Sequence, residues 1–156
     1  MTRAVILDTD FLSAFLKIGR LELVRDFYGV ETLIVPAAVV AELSRTPLLD
    51  DLARIAWIRI EAAEAGSSGE LHKLGRGERE AIALARRQES LLLSNDNLAR
   101  QAAGRLGVEA IDIPAFLLSC KLTGFLDAEG LQKIVRDLRE KDHYGFRKEI
   151  LDRLLA

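Results

Sequence analysis

The chain is poor in the residues that cross-link a fold or hold metals through sulfur and nitrogen: it has one cysteine, Cys120, and two histidines, His72 and His143. A single cysteine cannot close an intrachain disulfide, and one cysteine with two scattered histidines excludes ordinary zinc-site spacing. Long apolar runs are missing too. The longest, Leu33 to Ala41, is interrupted by Pro36 and is far shorter than the ~20 residues a membrane span needs. There is no excess of charge: the formal net charge is -2, so nucleic-acid contact has to come from a local patch. Internal repeats and low-complexity segments are absent. Met1-Thr2-Arg3 runs straight into an apolar stretch, leaving no room for a signal peptide. With the cysteine usage, this predicts a cytoplasmic protein with no membrane association.

What is present is an ordinary globular profile. The 156 residues are 49% hydrophobic and 29% charged, which predicts a single domain over 1–156 with a substantial core. Ala4–Leu7 reads as a buried strand, continuous and apolar. Phe11, Leu12, Phe15, Leu16 and Leu23 recur at helical spacing, with a break near Gly19. Thr32–Val35 is a second strand, and Pro36 opens a helix over Ala37–Arg45 that Pro47 stops. Leu48–Ala56 reads as a further helical turn or two, and Trp57–Ile60 as a weaker strand at an edge. Ala65 to Gly77 reads as a Gly- and Ser-rich loop, Glu78–Gln88 as a helix, Leu91–Leu93 as a strand and Asp96–Leu106 as a helix. Val108–Ile113 is a strand, Pro114 opens a helix to about Lys121, and two amphipathic helices follow, around Ala128–Lys141 and Tyr144–Leu155. This alternation predicts an α/β fold with a parallel sheet covered on both faces. The last two helices either finish the core or form an interface.

Four acids stand out. Asp8 ends the first strand, and ligands in such folds bind at the carboxyl ends of strands. Asp96 follows Leu91-Leu92-Leu93-Ser94-Asn95 in the same way. Glu42 shares a helical stripe with Ala38 and Val39, where an unpaired carboxylate is costly. Glu78 shares one with Ala81, Ile82 and Ala85, just after Gly75-Arg76-Gly77. Each has a bland explanation alone: helix capping for Asp8 and Asp96, the helix dipole for Glu78, a narrow stripe for Glu42. Together, at one end of a sheet, four carboxylates repel unless a cation neutralises them. Oxygen-only ligation favours Mg²⁺ or Mn²⁺, and such a site suits metal-assisted displacement at phosphate. Asp8-Thr9-Asp10 also permits a haloacid-dehalogenase-like phosphatase with Asp8 as nucleophile, although Leu12 stands where Thr or Val is expected. A non-catalytic module that keeps the fold is the third reading.

The opening Val5-Ile6-Leu7-Asp8-Thr9-Asp10 resembles the start of a PIN domain, a family of metal-dependent ribonucleases. Three further stretches are similar to that family's signatures and occur in its order. They are Val39-Val40-Ala41-Glu42-Leu43, Gly77-Glu78-Arg79-Glu80-Ala81-Ile82-Ala83-Leu84-Ala85 and Leu92-Leu93-Ser94-Asn95-Asp96. The resemblance spans about residues 4–120, with 121–156 as a helical extension. It implies a three-layer α/β/α fold with a central parallel sheet. It also implies an endoribonuclease with Asp8, Glu42, Glu78 and Asp96 as catalytic and metal-holding residues, and Thr9, Asp10, Ser94 and Asn97 in support. Asn97 stands where some members carry a further acid.

No side chain is an obvious general base, so the metal is expected to activate the water. Arg76 and Arg100 are the expected RNA contacts, being next to the motif loops, whereas Phe11 and Phe15 read as core. The resemblance further implies, for VapC-like members, a toxin neutralised by a small antitoxin, and a homodimer. The Gly-rich loop and the Leu122-Thr123-Gly124-Phe125-Leu126 tail are more similar to a PIN subgroup of unassigned role.

Overall fold

The computed structural model describes residues 3–64, 66 and 69–156. Its sheet has five strands: β1 (Val5–Leu7), β2 (Leu33–Pro36), β3 (Ile58–Glu61), β4 (Leu91–Leu93) and β5 (Ala110–Ile111). Every pairing is parallel, and the order across the sheet is β3-β2-β1-β4-β5. Val5, Leu7, Leu33, Val35, Leu91 and Leu93 face one core, whereas Ile6, Ile34 and Leu92 face the other. Burial on both faces is why these strands are apolar throughout instead of alternating. β3 is the half-exposed edge, with Ile60 turned to solvent.

The first core takes side chains from α1 (Thr9–Lys17), α2 (Leu21–Tyr28), α3 (Ala37–Leu43) and α4 (Leu48–Ala53). Phe11 and Phe15 stack there at 5.3 Å and meet Phe116 edge-on at 6.1 and 5.7 Å. Both are fully buried, so they are core residues. The second core is smaller and alanine-rich. Ala81, Ile82, Leu84 and Ala85 of α5 (Arg76–Gln88) enter it with Ala99, Ala102 and Ala103 of α6 (Asn97–Arg105). The result is the three-layer α/β/α arrangement with a parallel sheet in the middle.

The last three helices are α7 (Ile113–Leu122), α8 (Ala128–Lys141) and α9 (Lys148–Leu155). Phe116 and Leu117 of α7, Leu131, Ile134, Val135 and Leu138 of α8, and Leu154 of α9 all join the first core. The terminal pair therefore finishes the core. Lys17 pairs with Asp142 at 3.0 Å, and Lys121 donates to the carbonyl oxygens of Arg153 and Ala156, which ties the pair to α1 and α7.

Some boundaries differ from the sequence reading for identifiable reasons. The strand expected over Val108–Ile113 is reduced to Ala110–Ile111, because Asp112 accepts from the Ala115 amide at 2.9 Å and starts α7. The last helix begins at Lys148 instead of Tyr144, since His143 takes a left-handed conformation (φ 55°) and the chain turns there. Gly19, at φ 68°, separates α1 from α2. Within the expected loop 65–77, Ala65, Ser67 and Ser68 lie outside the described residues, as do Met1 and Thr2 at the expected leaderless start, and Gly69–Leu71 forms a 3₁₀ turn. Among the described residues, no helix is long and apolar enough to cross a membrane.

Candidate active site

After β1 the chain builds β2 and β3 on one side, then returns to build β4 and β5 on the other. The switch point between β1 and β4 is where open α/β sheets bind ligands. Asp8 leaves β1 there, and Ser94-Asn95-Asp96 leave β4 beside it. The ladder runs up to the site, because the Asp8 amide donates to the Leu93 carbonyl at 3.1 Å.

Asp8 is buried and caps α1, its Oδ1 accepting from the Phe11 amide at 3.4 Å. Burial pushes its carboxyl up to about 7, with the charges of Asp10 and Glu78 adding, while hydrogen bonds from the Ser94 side chain and Phe11 act against the rise. The Ser94 hydroxyl also accepts from the Asp96 amide at 3.3 Å, so one buried serine joins the ends of both strands. Asp96 caps α6 in the same way that Asp8 caps α1, accepting from the Ala99 amide at 2.8 Å.

Thr9 and Asp10 are expected in support of the four acids. Since Asp8 takes the capping position itself, the Thr9 hydroxyl is free to donate to Glu42 Oε2 at 2.7 Å. The Gly77 amide donates to Glu42 Oε1 at 3.2 Å, so Glu42 bridges α1 and the start of α5 from its place on α3. A Cβ at Gly77 would lie 2.6 Å from Glu42 Oε1 and 3.2 Å from Thr9 Oγ1. Glycine is what lets the α5 backbone come this close.

Glu78, in the first turn of α5, has its carboxyl raised by burial and then by the charges of Asp96 and Glu42, against the backbone N–H groups of Glu78 and Gly75. Asp10 is raised by burial and by Asp96, Glu42 and Asp142, with Lys17 acting the other way. The structure thus brings Asp8, Asp10, Glu42, Glu78 and Asp96 within one another's field. Among the described residues, no three acid, histidine or cysteine side chains stand close enough together to hold a metal ion as they are placed. The donor set is all oxygen, and repulsion among the acids adds to burial in raising three of these carboxyls, a part of the cost that a bound divalent cation would relieve. Oxygen donors of this kind are the class that hard divalent cations such as Mg²⁺ and Mn²⁺ take.

Of the two expected RNA contacts, Arg100 is turned onto its own loop. It donates to the Ser94 carbonyl at 3.1 Å and to Asn97 Oδ1 at 3.3 Å, and lies 3.6 Å from Asp112. Arg76 is exposed, beside Arg79 and Glu80.

Two further residues shape the site. Glu80 accepts from the Ala38 amide at 2.7 Å and the Ala63 amide at 3.1 Å, fixing the start of the helix that carries Glu42. Asn95 Oδ1 accepts from the Tyr144 hydroxyl at 2.9 Å and the Ile113 amide at 3.3 Å, which ties the β4 exit to the C-terminal helices. The polar run Asp142-His143-Tyr144-Gly145 between two amphipathic helices was the available signal for the second. Helical periodicity carried none for the first.

Comparison with known proteins bears on this geometry. A family model described as "DUF3368: PIN domain" matches residues 4–156, so it takes in α8 and α9 beyond the stretch that carried the resemblance. No curated protein matches the chain. A PilT N-terminus domain protein from the hyperthermophilic archaeon Sulfolobus solfataricus P2 superposes with a TM-score of 0.51 at 21% identity, over 92% of this chain and 98% of its own. The PIN domain endonuclease Utp24 superposes with a TM-score of 0.53 at 15% identity, over 70% of this chain and 84% of its own. The likeness to these structures is one of fold, and the family model covers the chain almost end to end: the chain belongs to the PIN-domain family.

Proposed function

We propose that the chain is a divalent-cation-dependent nuclease that hydrolyses phosphodiester bonds in RNA, with Asp8, Glu42, Glu78 and Asp96 as the residues that hold Mg²⁺ or Mn²⁺. The observation that carries this reading is the gathering of acids at the β1–β4 switch point, three of them held above their ordinary range. Lys17, the cation that acts on Asp10, is already paired with Asp142. The cluster therefore calls for a cation from outside. When bound, a divalent ion in such a site polarises phosphate and makes water a competent nucleophile.

The chain's own residues then have separate tasks. Ser94 and the Phe11 amide orient Asp8 at the bottom of the site. Thr9 and the Gly77 amide hold both oxygens of Glu42. Asp96 is fixed by its capping bond, and Asp10 adds negative field on the exposed side. Membership of the PIN family and likeness to an endonuclease of that family support this class of chemistry. The phosphatase reading has no such support.

The test is cleavage of a labelled single-stranded RNA with Mn²⁺ or Mg²⁺. The expected result is cleavage that EDTA stops and Asp8→Asn abolishes. Cleavage that persists undiminished in EDTA, or in Asp8→Asn, overturns the reading.

A further inference from the structure

The turn between α8 and α9 borders two clefts that meet at Asn95, Tyr144 and Gly145. The nearer, of about 410 Å³, runs from Asp10 and Ser13 past Lys17 to His143. Asp10, two residues past Asp8, and Asn95, next to Asp96, both line this cleft, so it borders the candidate active site. The farther, of about 570 Å³, is lined by Asn97, Arg100, Arg147 and Arg153, with Leu118 and Ile150 on its apolar part. Volumes of this size lie in the range of small-ligand sites.

The charge of the farther cleft runs against that of the molecule. Three arginines line it with Asp112 as the acid, in a chain of net charge -2. Asp112 is engaged by Arg100 at 3.6 Å. Among the described residues, the guanidinium groups of Arg147 and Arg153 have no acid or side-chain partner. Holding cations unpaired along a cleft that leads from an acidic site makes sense if the cleft receives anions. A guanidinium matches phosphate oxygens in pairs. At the junction, Tyr144 is half-buried, anchored through its hydroxyl to Asn95 and packed 4.6 Å from the Phe146 ring. Aromatic rings in such positions are platforms for unpaired bases.

We propose that the α8–α9 turn and α9 form a guide for single-stranded nucleic acid on one side of the scissile phosphate, with Arg147 and Arg153 gripping its backbone. The guide rests on the nuclease reading above and gives the C-terminal helical pair a part in substrate binding as well as in the core.

The experiment compares wild type with Arg147→Ala/Arg153→Ala on a long single-stranded RNA with Mn²⁺, over a range of salt. The expected result is a KM raised about 10-fold with kcat within about twofold of wild type. The salt dependence of log KM should fall in slope by about 1.4, two phosphates at ~0.7 each. Arg147→Lys/Arg153→Lys should recover most of the loss. Arg136→Ala/Arg139→Ala, which removes the same charge from the outer face of α8, should leave KM unchanged.

An unaltered KM and salt slope in Arg147→Ala/Arg153→Ala overturns the guide and leaves the cleft to another occupant, such as an acidic protein segment. Should wild type cut no RNA, the nuclease reading fails by itself. Fluorescence anisotropy with the same strand in EDTA then judges the guide, and equal affinities for wild type and variant overturn it.

Discussion

Burial first, and then the charges of Asp10 and Glu78, push the Asp8 carboxyl up to about 7 from 3.8. A carboxyl raised in this way holds its proton more tightly in the folded protein than in the unfolded chain. Its contribution to stability is present in full below pH 3.8 and is lost as the pH rises through about 7. The whole shift corresponds to roughly 4 kcal/mol. Asp8→Asn keeps a good helix cap and removes the charge. In EDTA it should melt above wild type, by more at pH 8 than at pH 5, and thermal unfolding at the two pH values checks this. At Gly77 the expectation runs the other way for activity. Alanine is a better helix residue than glycine by about 1 kcal/mol, but its Cβ would meet Glu42 Oε1 at 2.6 Å. Gly77→Ala should leave the melting temperature near wild type while cutting Mn²⁺-dependent cleavage about 10-fold or more, through displacement of an acid that would hold the ion. Single residues were the least legible level of the sequence. A carboxylate directly after a strand has the same local signature as a cap and as a ligand, and Asp8 and Asp96 do cap their helices. What distinguished them was the set, since Ser94 links the Asp8 side chain to the Asp96 amide only once β1 and β4 pair.

Elements were easier to read where burial is complete. β4 was delimited to the residue because Leu91-Leu92-Leu93 is apolar on both faces and flanked by Ser90 and Ser94. β5 was not, because Val108 already bonds the Ala103 carbonyl at 2.8 Å in the close of α6, and Asp112 opens α7. The break between α8 and α9 depends on His143 in a left-handed conformation that no helical pattern encodes. Glu80 shows how one element is set by another: its carboxylate on α5 satisfies amides at the start of α3 and just after β3. Glu80→Ala leaves the partly buried Ala38 and Ala63 amides without an acceptor, at about 1–3 kcal/mol. For a chain of this length that predicts a fall in melting temperature of about 2–12 °C. Glu80→Gln, which keeps an acceptor, should lose less, and thermal denaturation of the two variants compares them directly.

For the molecule as a whole, the parallel sheet and its two-sided cover follow from the alternation of apolar strands and helices, whereas the fate of the last two helices does not. An amphipathic helix carries the same pattern whether its apolar face meets its own core or a partner. Leu131, Ile134, Val135 and Leu138 of α8 join Phe11, Phe15 and Phe116 in the first core. A chain ending at Gly124 should therefore lose cooperative unfolding and expose apolar surface, seen as dye binding with a flattened melt. In the function proposed above, separate carboxylates brought by β1, α3, α5 and β4 act as one cation site. That shared site is tested most directly by calorimetric titration of Mn²⁺ into wild type and into Asp8→Asn, Glu42→Gln, Glu78→Gln and Asp96→Asn in turn. Saturable binding to wild type is expected, tighter at pH 8 than at pH 6 because the ion displaces the Asp8 proton, and weakened by about 10-fold or more in every variant. Binding that is absent in wild type, or unchanged by loss of Asp8, would contradict the shared site.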